Sequence, residues 1–212
     1  MVVWSIWGNR NQVFHNDVAI PPSQVWDSAR RALLDYNAAR KNPLPFHPPV
    51  SLLWAAPPPG FHKINVDGAT DEGGGCSCIG VIIRDSSGVA IGALSKVLPA
   101  SLNAEVTKAF TLLHGVLFAL EMQISSAIFE TDVLSIILAL SSFEDGGELG
   151  HILEDIKSAS SSFSHCTFHH LKWDGNRAAH TLAREAKTSG QSKVWKGTPP
   201  SCILQILRDD LM

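Results

Sequence analysis

The clearest ordering of apolar and polar positions begins at Lys63. In Lys63–Ala69 (KINVDGA), Ile64 and Val66 fall on one face and Asn65 and Asp67 on the other, and the run stops at Gly68. Period-two alternation of this kind predicts a half-buried strand. After the glycine cluster Gly73–Gly75, Cys78–Arg84 (CIGVIIR) reads as a second strand, Asp85-Ser86-Ser87-Gly88 as a turn and Val89–Val97 as a third strand. The three form an antiparallel meander. The period then lengthens. Asn103 can cap a helix running to about Gln123, with Val106, Ala109, Phe110, Leu113, Leu117 and Leu120 at core spacing. Ala127–Glu130 is a short strand, followed at once by a helix over Asp132–Leu140. A short helix over Gly150–Ser161, a strand over Cys166–His170 and a helix over Gly175–Thr188 complete the pattern, with Gly190 near the last helix's end. The order β-β-β-α-β-α-α-β-α predicts an α/β domain: a mixed sheet of five strands, three antiparallel and then two parallel, flanked by helices.

Upstream the pattern is different. Seven of the twelve prolines lie between Pro43 and Pro59, and proline cannot donate to a helix or a sheet ladder. Residues 38–60 therefore read as a proline-rich linker. Residues 1–37 read as an N-terminal helical segment, with Val25, Ala29, Leu33 and Tyr36 on one stripe of Ser23–Tyr36 and too little chain for a core of their own. The main domain is set at 61–190 and a C-terminal tail at 191–212.

Composition narrows the function classes. The 212 residues are 45% hydrophobic and 17% charged, with a formal net charge of −3, which fits a packed domain and disfavours purely electrostatic binding of nucleic acid. No apolar run approaches the roughly 20 residues of a membrane-spanning helix. Residues 1–7 lack the basic flank and cleavage site of a secretory signal. Cys76 and Cys78 are too close in sequence for ordinary disulfide geometry, and Cys166 and Cys202 carry no motif. Reduced thiols and an intracellular setting follow.

Three carboxylates stand out by position. Asp67 ends the first strand, Glu105 lies in the first turn of the long helix, and Asp132 sits where the fourth strand gives way to a helix. Ligands collect where strands of an α/β sheet end. Three acids gathered there repel one another unless cations neutralise them, and Mg2+ favours such oxygen ligands. Each acid also has a local explanation: an Asp-Gly turn for Asp67, favourable first-turn charge for Glu105, helix capping for Asp132.

The order of elements, the NVDGA strand, Ala104-Glu105, Thr131-Asp132 and the segment HLKWDGNRAAHTLA together resemble the ribonuclease H-like domain of plant non-LTR retrotransposons and their reverse transcriptase-like relatives. The resemblance covers about 54–212, including Trp195, Pro199-Pro200 and Asp209-Asp210 in the tail. The opening WSIWGNRNQVFHN resembles the segment after the zinc-binding region of plant reverse transcriptases, which implies the end of a longer polyprotein. The resemblance implies a metal-dependent endonuclease cutting the RNA strand of RNA–DNA hybrids. Asp67, Glu105 and Asp132 match its metal ligands, and Mg2+, or Mn2+ in its place, is the implied cofactor. His170 matches a histidine linked to proton movement or product release, and Asn176 a residue that commonly begins the last helix. His180 stands where these nucleases usually carry a fourth aspartate, which weakens the second metal site, since imidazole is a poor ligand for magnesium. Asn65, Gly68 and Asn176 are the candidate contacts to RNA 2′-hydroxyls.

Competing readings stay open. His180, and a stretch from Asp132 to His170 whose sole lysine or arginine is Lys157, favour a non-catalytic nucleic-acid or protein-binding module. A 3′–5′ exonuclease on the same fold is disfavoured because Asn65, not an acid, precedes Asp67 by two. Asn176, His180 and Arg184 form one row on the last helix, either a solvated stripe or a groove-facing one. His165, Cys166, His169 and His170 fit no zinc-finger spacing. Gly73–Gly75 lacks the Lys-Ser/Thr ending of a phosphate loop. Trp4, Trp7, Trp26 and Trp54 read as packing anchors rather than stacking platforms.

Overall fold

A computed structural model of the chain describes residues 21, 54–70, 75–98, 100–141 and 149–211. The expected N-terminal helical segment and most of the proline-rich linker lie outside the described residues. Those from 54 onward belong to one compact unit, Val50–Met212.

The elements are β1 (His62–Thr70), β2 (Ser77–Arg84), β3 (Ala90–Leu98), α1 (Ala104–Glu121), β4 (Ser126–Thr131), α2 (Leu134–Ser141), α3 (Gly150–Ser160), β5 (His165–His170), α4 (Arg177–Ser189), β6 (Lys193–Lys196) and α5 (Leu204–Asp209). The sheet order is β5-β4-β1-β2-β3-β6. β1, β2 and β3 form the antiparallel meander, while β4 runs parallel to both β1 and β5. The sheet therefore has six strands, not five. The sixth comes from the expected tail: Lys193–Lys196 pairs antiparallel with β3, placing Trp195 opposite Ala93. Four residues, the outer two of them lysines, give too short an alternation to stand out in sequence.

Alternation along the strands divides the core. Ile64, Val66, Ile79, Val81 and Ile83 pack with Val106, Ala109, Leu112, Val116 and Ala119 of α1. On the other face, Ile82, Ala90 and Ala93 pack with Ala178, Ala179 and Leu182 of α4 and with Ile203 and Leu207 of the C-terminal segment. Helix α1 starts as expected, with Asn103 Oδ1 accepting the Val106 amide at 2.8 Å. Its core stripe is rotated from the expected one: Leu112, Val116 and Ala119 are buried, Phe110, Leu113 and Leu120 are half-buried, and Leu117 is exposed. Both helix faces are apolar, so spacing alone does not choose between them. The second and fourth expected helix starts also shift, while the third, at Gly150, stands. Helix α2 begins at Leu134, and a short 3-10 turn (Trp173–Gly175) precedes α4.

The tail is stitched to the sheet by a buried polar network. Arg84, 1% exposed, donates to Asp210 at 2.6 Å and to Asn65 Oδ1 at 3.1 Å, with its guanidinium 3.6 Å over the Trp54 ring. The Trp54 indole donates to the same Asn65 oxygen, and Asn65 Nδ2 donates to Glu130, which also pairs with Lys63. Arg177 of α4 holds the other Asp210 oxygen at 3.2 Å. Residues expected as linker end (Trp54) and tail (Asp210) thus complete the domain. Among the described residues no helix is long and apolar enough to cross a membrane.

Candidate active site

Strand β1 points its side chains alternately to α1 and to α4, so Ile64 and Val66 enter the α1 core while Asn65 and Asp67 face α4. Two glycines let the layers close on Asp67. A Cβ at Gly68 would lie 2.7 Å from Thr111 Oγ1 of α1, and one at Gly80, opposite Asp67 in the β1–β2 register, 2.1 Å from the Ala179 carbonyl of α4. Asp67 is consequently 5% exposed. Its Oδ1 accepts the Gly68 amide at 2.9 Å, and its Oδ2 lies 2.7 Å from His180 Nδ1 on α4. Asn176 Nδ2 donates to the Val66 carbonyl at 2.9 Å, which fixes the start of α4 against β1.

Asp132 follows β4, the parallel neighbour of β1, and joins this site from the side. Lys108 of α1 donates to both of its carboxylate oxygens at 3.0 Å. Burial pushes the Asp67 carboxyl above the usual carboxylate range, and the charge of Asp132 raises it further; the hydrogen bond from His180 and the charge of Lys108 pull the other way. Asp67, Asp132, Lys108 and His180 are therefore one electrostatic unit. His170, exposed at the end of β5, sits at its rim with Nε2 3.2 Å from the Asp132 carbonyl. Trp173, 54% exposed, stands edge-on to His180 with ring centroids 5.9 Å apart.

Several expectations change here. Glu105 is exposed, and among the described residues no three His, Cys, Asp or Glu side chains form a group able to hold a metal ion. The expected three-acid cluster is instead an aspartate pair. Lys108, one turn beyond Glu105 on α1, supplies the counter-charge that a third acid would have left wanting. Asn65 is buried and held by Trp54, Arg84 and Glu130, while Asn176 is buried with its Nδ2 on the Val66 carbonyl and its Oδ1 without a hydrogen-bond partner. Gly68 is fixed by close packing against α1. The row Asn176, His180, Arg184 runs from buried through half-buried to exposed, so only its middle member touches an aspartate. Sequence reasoning passed over Lys108 and Trp173. The spacing of Glu105 and Lys108, which puts them on one helix face, was the available signal for the first.

The donor set can be weighed for a divalent ion on this geometry. Asp67 and Asp132 offer hard oxygens, and Asp67 carries an ionisation penalty that a nearby cation would relieve. His180, a nitrogen donor, stands against Asp67 at 2.7 Å. Asp67 and Asp132 are the two acids of this unit, and Glu105, exposed on α1, is not grouped with them.

Comparison with known proteins bears on this arrangement. A profile of the reverse transcriptase-like family matches residues 65–186, more than half of the chain. The chain belongs to that family. No curated protein matches it. Among solved structures it is similar to ribonuclease H1 of the halophilic archaeon Halobacterium salinarum, with 15% identity, a TM-score of 0.57 and coverage of 61% of this chain and 98% of that one. It is likewise similar to LC11-RNase H1 in complex with an RNA/DNA hybrid, with 18% identity, a TM-score of 0.55 and coverage of 61% and 98%. A third is the N-terminal RNase H domain of a Mycobacterium tuberculosis protein, with 15% identity, a TM-score of 0.54 and coverage of 59% and 97%. At these identities the likeness establishes the fold: an RNase H-like domain.

Proposed function

We propose that this chain is a metal-dependent endonuclease of ribonuclease H type, hydrolysing the RNA strand of RNA–DNA hybrids. One observation carries the reading. In a chain of the reverse transcriptase-like family, Asp67 of β1 and Asp132 just beyond β4 come from two parallel neighbouring strands, and the charge of Asp132 acts on Asp67. Two carboxylates held in that relation, one of them buried, repel each other unless positive charge stands close, and a divalent ion can supply it. The hybrid held by LC11-RNase H1 supports the same class of ligand here.

The roles follow from position. Asp67 and Asp132 would hold Mg2+ or Mn2+, and Glu105, exposed in the first turn of α1, stands outside the pair. A divalent ion there supplies Lewis acidity at a scissile phosphate. His180 keeps Asp67 oriented through its 2.7 Å contact. His170, exposed at the rim, is placed to move a proton between the site and solvent. Trp173 offers an exposed ring face beside His180 on which a sugar or base can stack. A net charge of −3 gives little general attraction for a polyanion, so affinity must come from such local contacts. Cys76, Cys166 and Cys202 are free thiols, in keeping with an intracellular setting.

A second reading, a binding module without efficient chemistry, is favoured by the two nitrogen groups, Lys108 and His180, that already satisfy the aspartates. The two readings part in one experiment. The protein and its Asp67→Asn variant are incubated with a labelled RNA–DNA hybrid and Mg2+ or Mn2+. Cleavage by the wild type that is lost in the variant supports the nuclease. Binding by both proteins without cleavage by either supports the module and overturns the nuclease.

A further inference from the structure

Lys108 is the group in this site that the nuclease reading does not use. Its ammonium contacts both oxygens of Asp132 at 3.0 Å, and the two side chains are only 28% and 20% exposed. The same charge is felt by Asp67 across the site. A part-buried carboxylate pair repels itself in a low-dielectric setting unless a cation stands close. Here the chain provides that cation from its own helix α1. The two hydrogen bonds from Lys108 leave neither carboxylate oxygen of Asp132 without a partner. His180 Nδ1 in turn engages Oδ2 of Asp67 at 2.7 Å. The aspartates are thus answered by protein groups before any ligand arrives.

We infer that Lys108 is a built-in competitor for the divalent ion: metal enters the Asp67–Asp132 pair by exchange, and Lys108 must leave Asp132 as it does so. The inference rests on the carboxylate pair being the metal-holding group of the nuclease reading. With Lys108 in place an incoming dication meets one net negative charge instead of two. It must also break a two-point ion pair before reaching Asp132. Metal affinity is low by construction, because both aspartates already have protein partners before an ion arrives.

The test is calorimetric titration of the full chain with MnCl2 and with MgCl2, without nucleic acid. It is run on the wild type, Lys108→Met, Lys108→Gln, Lys108→Arg and Asp132→Asn. Removing the ammonium should tighten Mn2+ binding about fivefold or more, the ratio that corresponds to an ion pair of roughly 1 kcal/mol. Lys108→Arg keeps the charge and should keep the weak affinity. Asp132→Asn should abolish binding. Thermal melts give an independent readout. In EDTA, Lys108→Met should melt below the wild type, and Mn2+ should raise its midpoint by more than it raises that of the wild type. Lys108→Gln serves where the methionine variant folds poorly. Equal Mn2+ affinity in wild type and both neutral variants overturns the competitor role and leaves the carboxylate site standing. No binding in any variant overturns both.

Discussion

Replacing Gly80 by alanine tests whether the site depends on how closely α4 lies on the sheet. Gly80 faces α4 from β2 and is the register partner of Asp67. The added Cβ would sit 2.1 Å from the Ala179 carbonyl oxygen, 2.4 Å from the Ala183 amide nitrogen and 3.0 Å from Leu182 Cβ. The first two are helix backbone atoms, which no rotamer change can withdraw. To restore ordinary contact near 3.4 Å, α4 must retreat by more than 1 Å. That movement loosens the seats of Ala179, Leu182 and Ala183 and lengthens the 2.9 Å bond from Ser95 Oγ to the Leu182 carbonyl. Overpacking of this kind costs about 1–3 kcal/mol, and a backbone obstacle places Gly80→Ala at the upper end. For a domain of this size that is a fall of roughly 6–12 °C in the melting midpoint. Circular dichroism melts in EDTA measure it, with Gly150→Ala as control, since a Cβ there meets nothing within 4 Å. Because α4 also carries Asn176 and His180, hybrid cleavage should fall about 100-fold in the variant that still folds, as a 1 Å misplacement can cause. A Gly80→Ala midpoint equal to the wild type's would refute the close seating of α4 and, with it, the account of how Asp67 is buried.

Three further outcomes follow from the same coordinates. Asp67→Asn should raise stability at pH 7 in EDTA while abolishing cleavage. Because the Asp67 carboxyl is raised above 3.8 by burial and by Asp132, its contribution to stability is present in acid and lost as pH rises through the folded value, so the gap between variant and wild type should open with pH in melts. Asp210→Ala strands Arg84, whose burial already lowers its pKa to about 10, and should cost about 3–5 kcal/mol in urea unfolding, whereas the apolar double variant Arg84→Met/Asp210→Leu should recover most of it. His114, pushed down to about 4 by burial and then by Lys96, is neutral when folded, so stability should fall as pH drops from 6.5 towards 4, and His114→Gln should flatten that slope; the ring's NMR titration checks the midpoint.

The fold was legible wherever one face of an element was clearly apolar. The alternation in β1 and the Asn103 cap of α1 are local signals with local causes, and both appear where the sequence puts them. The meander followed from turn chemistry: Asp85 Oδ1 accepts the Ser87 and Val89 amides in the predicted turn. Long-range pairing was the hidden part. β6 becomes a strand because β3 would otherwise be a bare edge, and its four residues gain their ladder from that neighbour rather than from their own pattern. The rotation of the α1 stripe has the same origin. Leu117 and Val116 are equally apolar in sequence, and only the position of the sheet buries one and exposes the other.

The site was legible in its carboxylates and not in its cations, and the reason is reach. Asp67 is short and close to the backbone, so its strand position fixes where its charge lies; Asp132, at the end of β4, is similarly constrained. Lys108 carries its charge at the end of a four-carbon stem, and its spacing from Glu105 indicates the face it leaves but not the partner it finds. That partner decides the chemistry. A glutamate and two aspartates sharing a site would demand external cations. Two aspartates with a lysine on one and a histidine on the other do not demand them. The same fold with these two nitrogen groups in place can therefore rest without metal, so metal dependence has to be measured as a competition between Lys108 and the ion rather than read from the acids alone.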